Sequence, residues 1–289
     1  MQNRVGMKEV IGGLVTRGFI DSPVFVVGAN RSGTSVLLRA LGAHPDILGS
    51  TGEAPLMVNM AAIADLVEFS EFRDYYAENM RLPKDYLYSH LRRLCFEYAI
   101  GRDFGWDRIA PSLKHLDRSI LQKRYWCAKI FPVKEESRGL RQLFQGARFV
   151  YIVRNGIEVV HSRTKFPGFR DLDFETQCRE WVSQTRAFDH LTTAEDVIQI
   201  RHEHLVADAE DVLHKVFSFL GLELDSAPVN LVRSTLVIPL DQPDSAGVDA
   251  KQVLRARRPP HETWTPEQRA TFQAIAGEAM TCAGYQMPF

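Results

Sequence analysis

The stretch Val24–Asp46, VFVVGANRSGTSVLLRALGAHPD, decides the reading of the fold. Pro23 opens an unbroken apolar run, Val24-Phe25-Val26-Val27, and Gly28 ends it. A short strand that is apolar on both sides belongs inside a parallel sheet, because helices cover both faces of such sheets. Beyond the glycine-containing segment, Val36, Leu37, Ala40 and Leu41 recur at helical spacing. His44-Pro45 ends that helix, since the residue before a proline is driven out of the helical region. The first unit is therefore strand, glycine loop, helix.

Three further strands follow from β-branched and aromatic runs: Trp126–Ile130, Phe149–Val153 and Val197–Arg201. The second of these runs directly into Arg154-Asn155-Gly156. Between strands lie helical patterns such as DAEDVLHKVFSFLGL, with Val212, Val216, Phe219 and Leu220 as its apolar stripe and Gly221 as its C′ residue. The alternation predicts an α/β fold, a P-loop-type parallel sheet flanked by helices with right-handed crossovers. Residues 56–125 are helical in pattern and too long for an ordinary crossover, so they form a helical insertion, expected over the sheet's carboxyl edge. Near the end, RARRPPHETW reads as a loop, and Thr265-Pro266-Glu267-Gln268 supplies an N-cap, a proline at the first helical position and a capping-box glutamine. Without repeats or linkers, residues 1–289 read as a single domain.

Composition narrows the function classes. At 45% hydrophobic and 25% charged, with 14 prolines, the chain of 289 residues is a soluble globular type that buries a core without staples. Lys and Arg number 35 against 36 Asp and Glu, a formal charge of −1, which argues against nucleic acid as a partner. Cys95, Cys127, Cys178 and Cys282 lie far apart, with neither a zinc signature nor a disulfide framework, and suit a reducing cytoplasm. The apolar run VIGGLV near the N-terminus is too short for a signal-peptide core or a membrane span. No stable membrane insertion is expected, and the oligomeric state is left open.

The loop carries the chemistry. Against the pattern G-x-x-x-x-G-K-[ST] it offers Gly28, Gly33, Thr34 in place of lysine, and Ser35. Inward-turned amides and the start of a helix bind an anion. The missing lysine removes the contact to a γ-phosphate, and no aspartate follows Val153 or Ile200 to hold Mg²⁺. Such a loop suits one phosphate-like group without metal, with Arg31 as its charge; a plain strand-to-helix turn is the alternative. Arg154, at the end of the clearest strand, and Ser162, eight positions on, supply a second anion site where ligands of open α/β sheets bind. Two such sites fit a nucleotide phosphorylated on both its 5′ and 3′ sides.

GANRSGTSVLLRALGAHPDI and ARFVYIVRNGIEVVHS resemble the two nucleotide-binding elements of the sulfotransferases that use 3′-phosphoadenosine 5′-phosphosulfate (PAPS), above all the bacterial and tyrosylprotein-type branches. CAKIFP, RHEHLVADAEDVLHKVFSFLGL and WTPEQ with the later Gly284-Tyr285 are weaker similarities, and the insertion has no match. Two departures stand out: Arg154-Asn155-Gly156 replaces Arg-Asp-Pro, and Ile130-Phe131 puts two residues between Lys129 and Pro132 instead of one.

The resemblance implies that Asn30, Arg31, Ser32, Gly33, Thr34 and Ser35 hold the 5′-phosphosulfate and that Arg154 and Ser162 hold the 3′-phosphate. It implies further that one of Arg255, Arg257 and Arg258 closes over the nucleotide, with no metal. Glu53 would be the base, the alternative being a carboxylate at a helix start; Arg31 and Lys129 would serve the departing 3′,5′-bisphosphate (PAP), Lys129 otherwise being a strand-end lysine. The acceptor would be a hydroxyl of a small molecule, glycan or lipid. His44 reads as a helix end, His161 as structural, and His202 and His204, sharing one face of an extended segment, lack a third ligand for a metal. Trp106 and the insertion's tyrosines either line an acceptor pocket or pack. Rival readings are a P-loop kinase that has lost its lysine and a nucleotide-binding scaffold without turnover.

Overall fold

Five strands and eleven helices account for most of what the computed structural model describes, namely residues 20–49, 52–71, 73–79, 83–104, 123–132, 134–169, 171–191, 194–236 and 259–289. The strands are β1 (Pro23–Val27), β2 (Ile47–Leu48), β3 (Tyr125–Lys129), β4 (Arg148–Val153) and β5 (Val197–Arg201). They form a five-stranded parallel sheet in the order β2-β3-β1-β4-β5. In its register Val24 lies beside Cys127 and Val26 beside Lys129. The three longer predicted strands after β1 sit within a residue of their expected bounds. β2 has two residues, too few to show any periodicity, and the sequence pattern did not reveal it.

The helices are α1 (Thr34–Gly42), α2 (Pro55–Phe69), α3 (Arg73–Asn79), α4 (Lys84–Phe104), α5 (Lys134–Leu143), α6 (Gly156–Lys165), α7 (Phe174–Ala187), α8 (His202–Ala207), α9 (Ala209–Phe219), α10 (Ser226–Leu236) and α11 (Pro266–Cys282). Among the described residues no helix is long and apolar enough to cross a membrane. The chain divides into two compact units, each discontinuous in sequence: Met1–Val26 with Leu38–Phe149, and Val27–Leu37 with Val150–Phe289.

The first unit is organised by aromatics. Phe25, Trp126 and Phe144 meet edge to face, with ring centroids 5.8–6.0 Å apart, the preferred geometry for ring quadrupoles. The buried Trp126 indole N–H donates to the Ile20 carbonyl at 3.0 Å. As predicted, 56–104 is helical where described. Its third helix differs from expectation: Phe96 of α4 packs on Trp126, and Arg92 pairs with Asp21 just ahead of β1. α4 therefore lies by the amino ends of β1 and β3, whereas the start of α2 lies at a carboxyl strand end, where the Ala54 N–H donates to Lys129 O at 3.0 Å.

The second unit packs α6, α7 and α11 around Trp181, Trp264 and Phe272. The capping box is present: Thr265 Oγ1 accepts from Gln268 N–H at 3.1 Å, and Gln268 Oε1 accepts from Thr265 N–H at 3.0 Å. Gly221 ends α9 with φ 66°, as a C′ glycine should. The α9 stripe is corrected by one position: Val212, Leu213, Val216, Phe217 and Leu220 are buried, whereas Phe219 is only half-buried. Both sets have the 3.6-residue period, and the buried face is turned toward Leu213 and Phe217 and away from Phe219.

Helices α2 and α5 approach so closely that a Cβ on Gly139 would overlap the Ala61 carbonyl oxygen. Backbone cannot yield as a side chain can, so Gly139→Ala forces the helices apart. We expect a loss of about 2–3 kcal/mol and a melting temperature lower by roughly 5–10 °C, measured by calorimetry; an unchanged melting temperature would refute the close contact.

Candidate functional site

The segment between β1 and α1 turns back on itself through three left-handed residues, Gly28 (φ 154°), Arg31 (φ 72°) and Gly33 (φ 95°). A Cβ on Gly33 would stand 2.6 Å from the His202 ring, so only glycine fits there. Arg31 is the sole non-glycine residue with positive φ among those described, and that conformation costs an L-residue about 1–2 kcal/mol. Such outliers persist only where neighbours fix them. Here the Arg154 Nη1–H donates to the Arg31 carbonyl at 2.9 Å, and the Arg31 Nε–H donates to Ser162 Oγ at 3.2 Å. The Arg31 guanidinium also lies over the Phe166 ring, 4.3 Å from its centroid.

One expectation changes as a result. The sequence presents the two anion-binding elements as separate, with Arg31 serving the loop. The structure joins Arg31, Arg154 and Ser162 into one cluster, because the strained loop residue needs the strand-end arginine for support. The Asn30 N–H is held by Gln184 Oε1 at 2.9 Å. Ser32 and Thr34 are buried, Ser35 is exposed, and Ser32 Oγ has no hydrogen-bond partner among the described residues. A buried hydroxyl without a partner is costly, so it fits a ligand oxygen that would complete it. At the start of α1 the Val36 and Leu37 N–H groups donate to the Gly33 carbonyl at 3.1 Å, and the positive end of a helix beginning there favours an anion.

A second tier holds the turn after β4. The Asn155 N–H donates to Glu203 Oε1 at 2.9 Å, and Tyr285 Oη–H donates to Glu203 Oε2 at 2.9 Å. Burial, and then Glu203, push the Tyr285 phenol upward, so it stays a donor. Asn155 Oδ1 caps α6 by accepting from the Ile157 N–H at 2.9 Å, the task an aspartate would perform, and the departure at this position is therefore harmless to the turn. Arg154 Nη2 pairs with Glu158 at 3.2 Å. Burial, and then Arg154, push the His202 imidazole down to about 3, so this ring is neutral at physiological pH and adds no charge to the anion site.

The sequence did not assign Gln184, Glu203 or Tyr285 a role. Glu203 had a usable signal, since it lies two residues beyond the carboxyl end of β5; Gln184, in the last turn of α7, had none. His202 and His204 were expected on one extended face. They instead open α8, where i and i+2 point apart, and no group of metal-binding residues occurs among the described residues. His44 acts at the end of α1, its Nδ1 accepting from the Asp46 N–H at 3.0 Å.

In the other unit, Lys129 ends β3 and forms a parallel bridge with Glu53. Lys129 Nζ lies 3.1 Å from Glu53 Oε1, with the lysine buried and the carboxylate half exposed. A buried ammonium without a counter-charge is strongly destabilising, and Glu53 supplies that charge. The two residues line a pocket of 240 Å³ with Ala54, Pro55, Val58, Asn59, Ile130 and Phe131. The two residues between Lys129 and Pro132 thus contribute the pocket's Ile130 and Phe131. A cavity of 320 Å³ beside β5 is lined by Arg201, His204, Asp211 and Lys215 among others, but Lys215 is already paired with Asp211 at 2.6 Å. Arg255, Arg257, Arg258 and Trp106 lie outside the described residues.

Comparison with known proteins bears on the fold and the family. A protein-tyrosine sulfotransferase of Drosophila melanogaster is 23% identical over 213 residues, 71% of this chain and 39% of its own length. The chain thus spans about two fifths of that relative. The sulfotransferase domain from the Synechococcus PCC 7002 olefin synthase has the same fold, with a TM-score of 0.53 at 19% identity, covering 92% of this chain and 96% of that one. The model of the sulfotransferase family matches residues 23–226, from the first residue of β1 to the start of α10. That span takes in the loop, Glu53, Lys129, Arg154 and Ser162, and with it the chain belongs to the sulfotransferase family.

Proposed function

We propose that the protein moves a sulfuryl group from PAPS to a hydroxyl of a small-molecule, glycan or lipid acceptor, releasing PAP. The observation that carries this is the Arg31–Arg154–Ser162 cluster beside a loop whose buried Ser32 hydroxyl lacks a partner among the described residues. The Arg154 guanidinium and the Ser162 hydroxyl suit a dianionic 3′-phosphate. The loop amides, Ser32 and Thr34 suit the 5′ side, where a threonine in place of the P-loop lysine matches a ligand with no γ-phosphate. The donor supplies an activated sulfuryl group with a phosphate leaving group.

The chain's own residues do the rest. Glu53 takes the acceptor's proton as the oxygen–sulfur bond forms and the sulfur–phosphate oxygen bond breaks. Loop amides and Arg31 hold the charge that grows on the leaving phosphate, and Lys129 orients Glu53. No metal is assigned a part. We propose further that residues 1–289 act as one catalytic domain, because the chain passes between the two units within β1, α1 and β4. The spacing of the four cysteines, all free thiols, supports a cytoplasmic setting, and the near-zero net charge argues against a nucleic-acid partner.

PAP without added metal should raise the melting temperature by roughly 5–10 °C at one hundred times its Kd. A response to ATP with Mg²⁺ alone would overturn the donor assignment in favour of a kinase. Arg154→Ala and Ser162→Ala should each weaken PAP binding, the arginine by roughly 10- to 100-fold, read by titration calorimetry. Glu53→Gln should lower sulfate transfer by roughly 10²- to 10⁴-fold while PAP affinity stays the same. Undiminished transfer would remove Glu53 from the mechanism.

A further inference from the structure

Helix α2, PLMVNMAAIADLVEF, is apolar on nearly all sides. Met57, Met60, Ala61, Ala64 and Val67 are buried, as a core-facing stripe should be. The opposite side should be polar and is not. Leu56, Ile63, Leu66 and Phe69 are 41–46% exposed, and these four are half of the eight large exposed hydrophobic residues among those described. Scattered exposed apolar residues need no explanation, but a contiguous run of them on one helix does. The outward arc holds no charged side chain, and its one polar residue is Asn59.

The same helix end forms the pocket of Glu53 and Lys129, through Pro55, Val58 and Asn59. That pocket, at 240 Å³, is smaller than the roughly 300–1,000 Å³ that enclose a drug-sized ligand. It therefore takes the reacting end of an acceptor and leaves the remainder outside. From Leu56 to Phe69 the outward face runs ~20 Å at the helical rise. A sugar or peptide lying there would find Asn59 as its one side-chain hydrogen-bond partner on the arc. At the far end the Arg138 guanidinium stacks on Phe69, 4.8 Å from the ring centroid, while it chelates Asp65 at 2.8 and 3.0 Å. The apolar strip thus starts at the pocket and ends at a charge.

We infer that the acceptor is an alcohol on a long apolar chain, its hydroxyl at Glu53 and its chain along the outward face of α2. This rests on the proposed sulfate transfer for the chemistry and on the exposed face for the chain. The test measures transfer from PAPS to n-butanol, n-octanol and n-decanol by the full-length protein. In parallel, binding of pyrene-labelled decanol is followed by fluorescence without donor. We expect kcat/KM to rise by roughly twofold per methylene, about half the free energy of full burial because one side of the chain stays open. The double variant Ile63→Glu, Leu66→Glu, both at exposed positions, should flatten this dependence and abolish saturable probe binding. The shift of melting temperature by PAP, retained in the variant, shows that it has folded.

Transfer to butanol without any dependence on chain length overturns the inference and leaves sulfate transfer standing. Saturable probe binding lost in the variant, with no transfer to any alcohol, upholds the apolar ligand and overturns the transfer reading. A dimer in sedimentation that the variant dissociates and decanol does not makes the face a self-association surface and overturns the inference, as does the absence of both transfer and binding.

Discussion

Arg31 holds a backbone conformation that its own side chain disfavours, and the anion site depends on keeping it there. The Arg154 guanidinium fixes the Arg31 carbonyl and Ser162 anchors its side chain. With Arg31 fixed, the loop between Gly28 and Gly33 keeps its Asn30 N–H on Gln184 Oε1 at 2.9 Å and its Ser32 N–H on the Ala29 carbonyl at 3.1 Å. The support continues outward, because Arg154 leaves the sheet beside Asn155, whose N–H is held by Glu203, itself held by Tyr285. Four segments distant in sequence thus determine one dihedral angle. The 1–2 kcal/mol of strain is small beside the hydrogen bonds to charged groups that maintain it, each worth about 1.5–3 kcal/mol.

This dependence explains what the sequence could show. The β1 run, the two glycines and the α1 stripe are local and periodic, so the loop and its fold class were legible from Val24–Asp46 alone. Arg154 and Ser162 were legible as well, since they follow the most strongly patterned strand. That Arg31 would lie with Ser162 was not, because no local rule assigns a side chain to a partner 131 residues away. Gln184 and Tyr285 were hidden for the same reason: each acts through one long-range hydrogen bond and leaves no periodic trace. β2, with two residues, fell below the length at which alternation exists. The Glu53–Lys129 pair was half visible, as two candidates whose contact only the β3 bridge could establish.

That pair carries a tension of its own. An ammonium as buried as Lys129 needs a counter-charge, and Glu53 is that charge in the resting protein. A carboxylate that accepts a proton loses its charge, so proton uptake by Glu53 would remove the counter-charge that Lys129 has from it. In the proposed reaction this happens as negative charge grows on the departing phosphate. On the proposed mechanism the net charge of the pair thus rises by one in a step whose transition state gains negative charge. A surface lysine, screened by water, could not respond in this way. Lys129 is buried at the end of β3 with its Nζ 5.8 Å from the Phe131 ring centroid, and Ile130 and Phe131, the two residues that depart from the usual spacing before Pro132, line the same pocket as the pair.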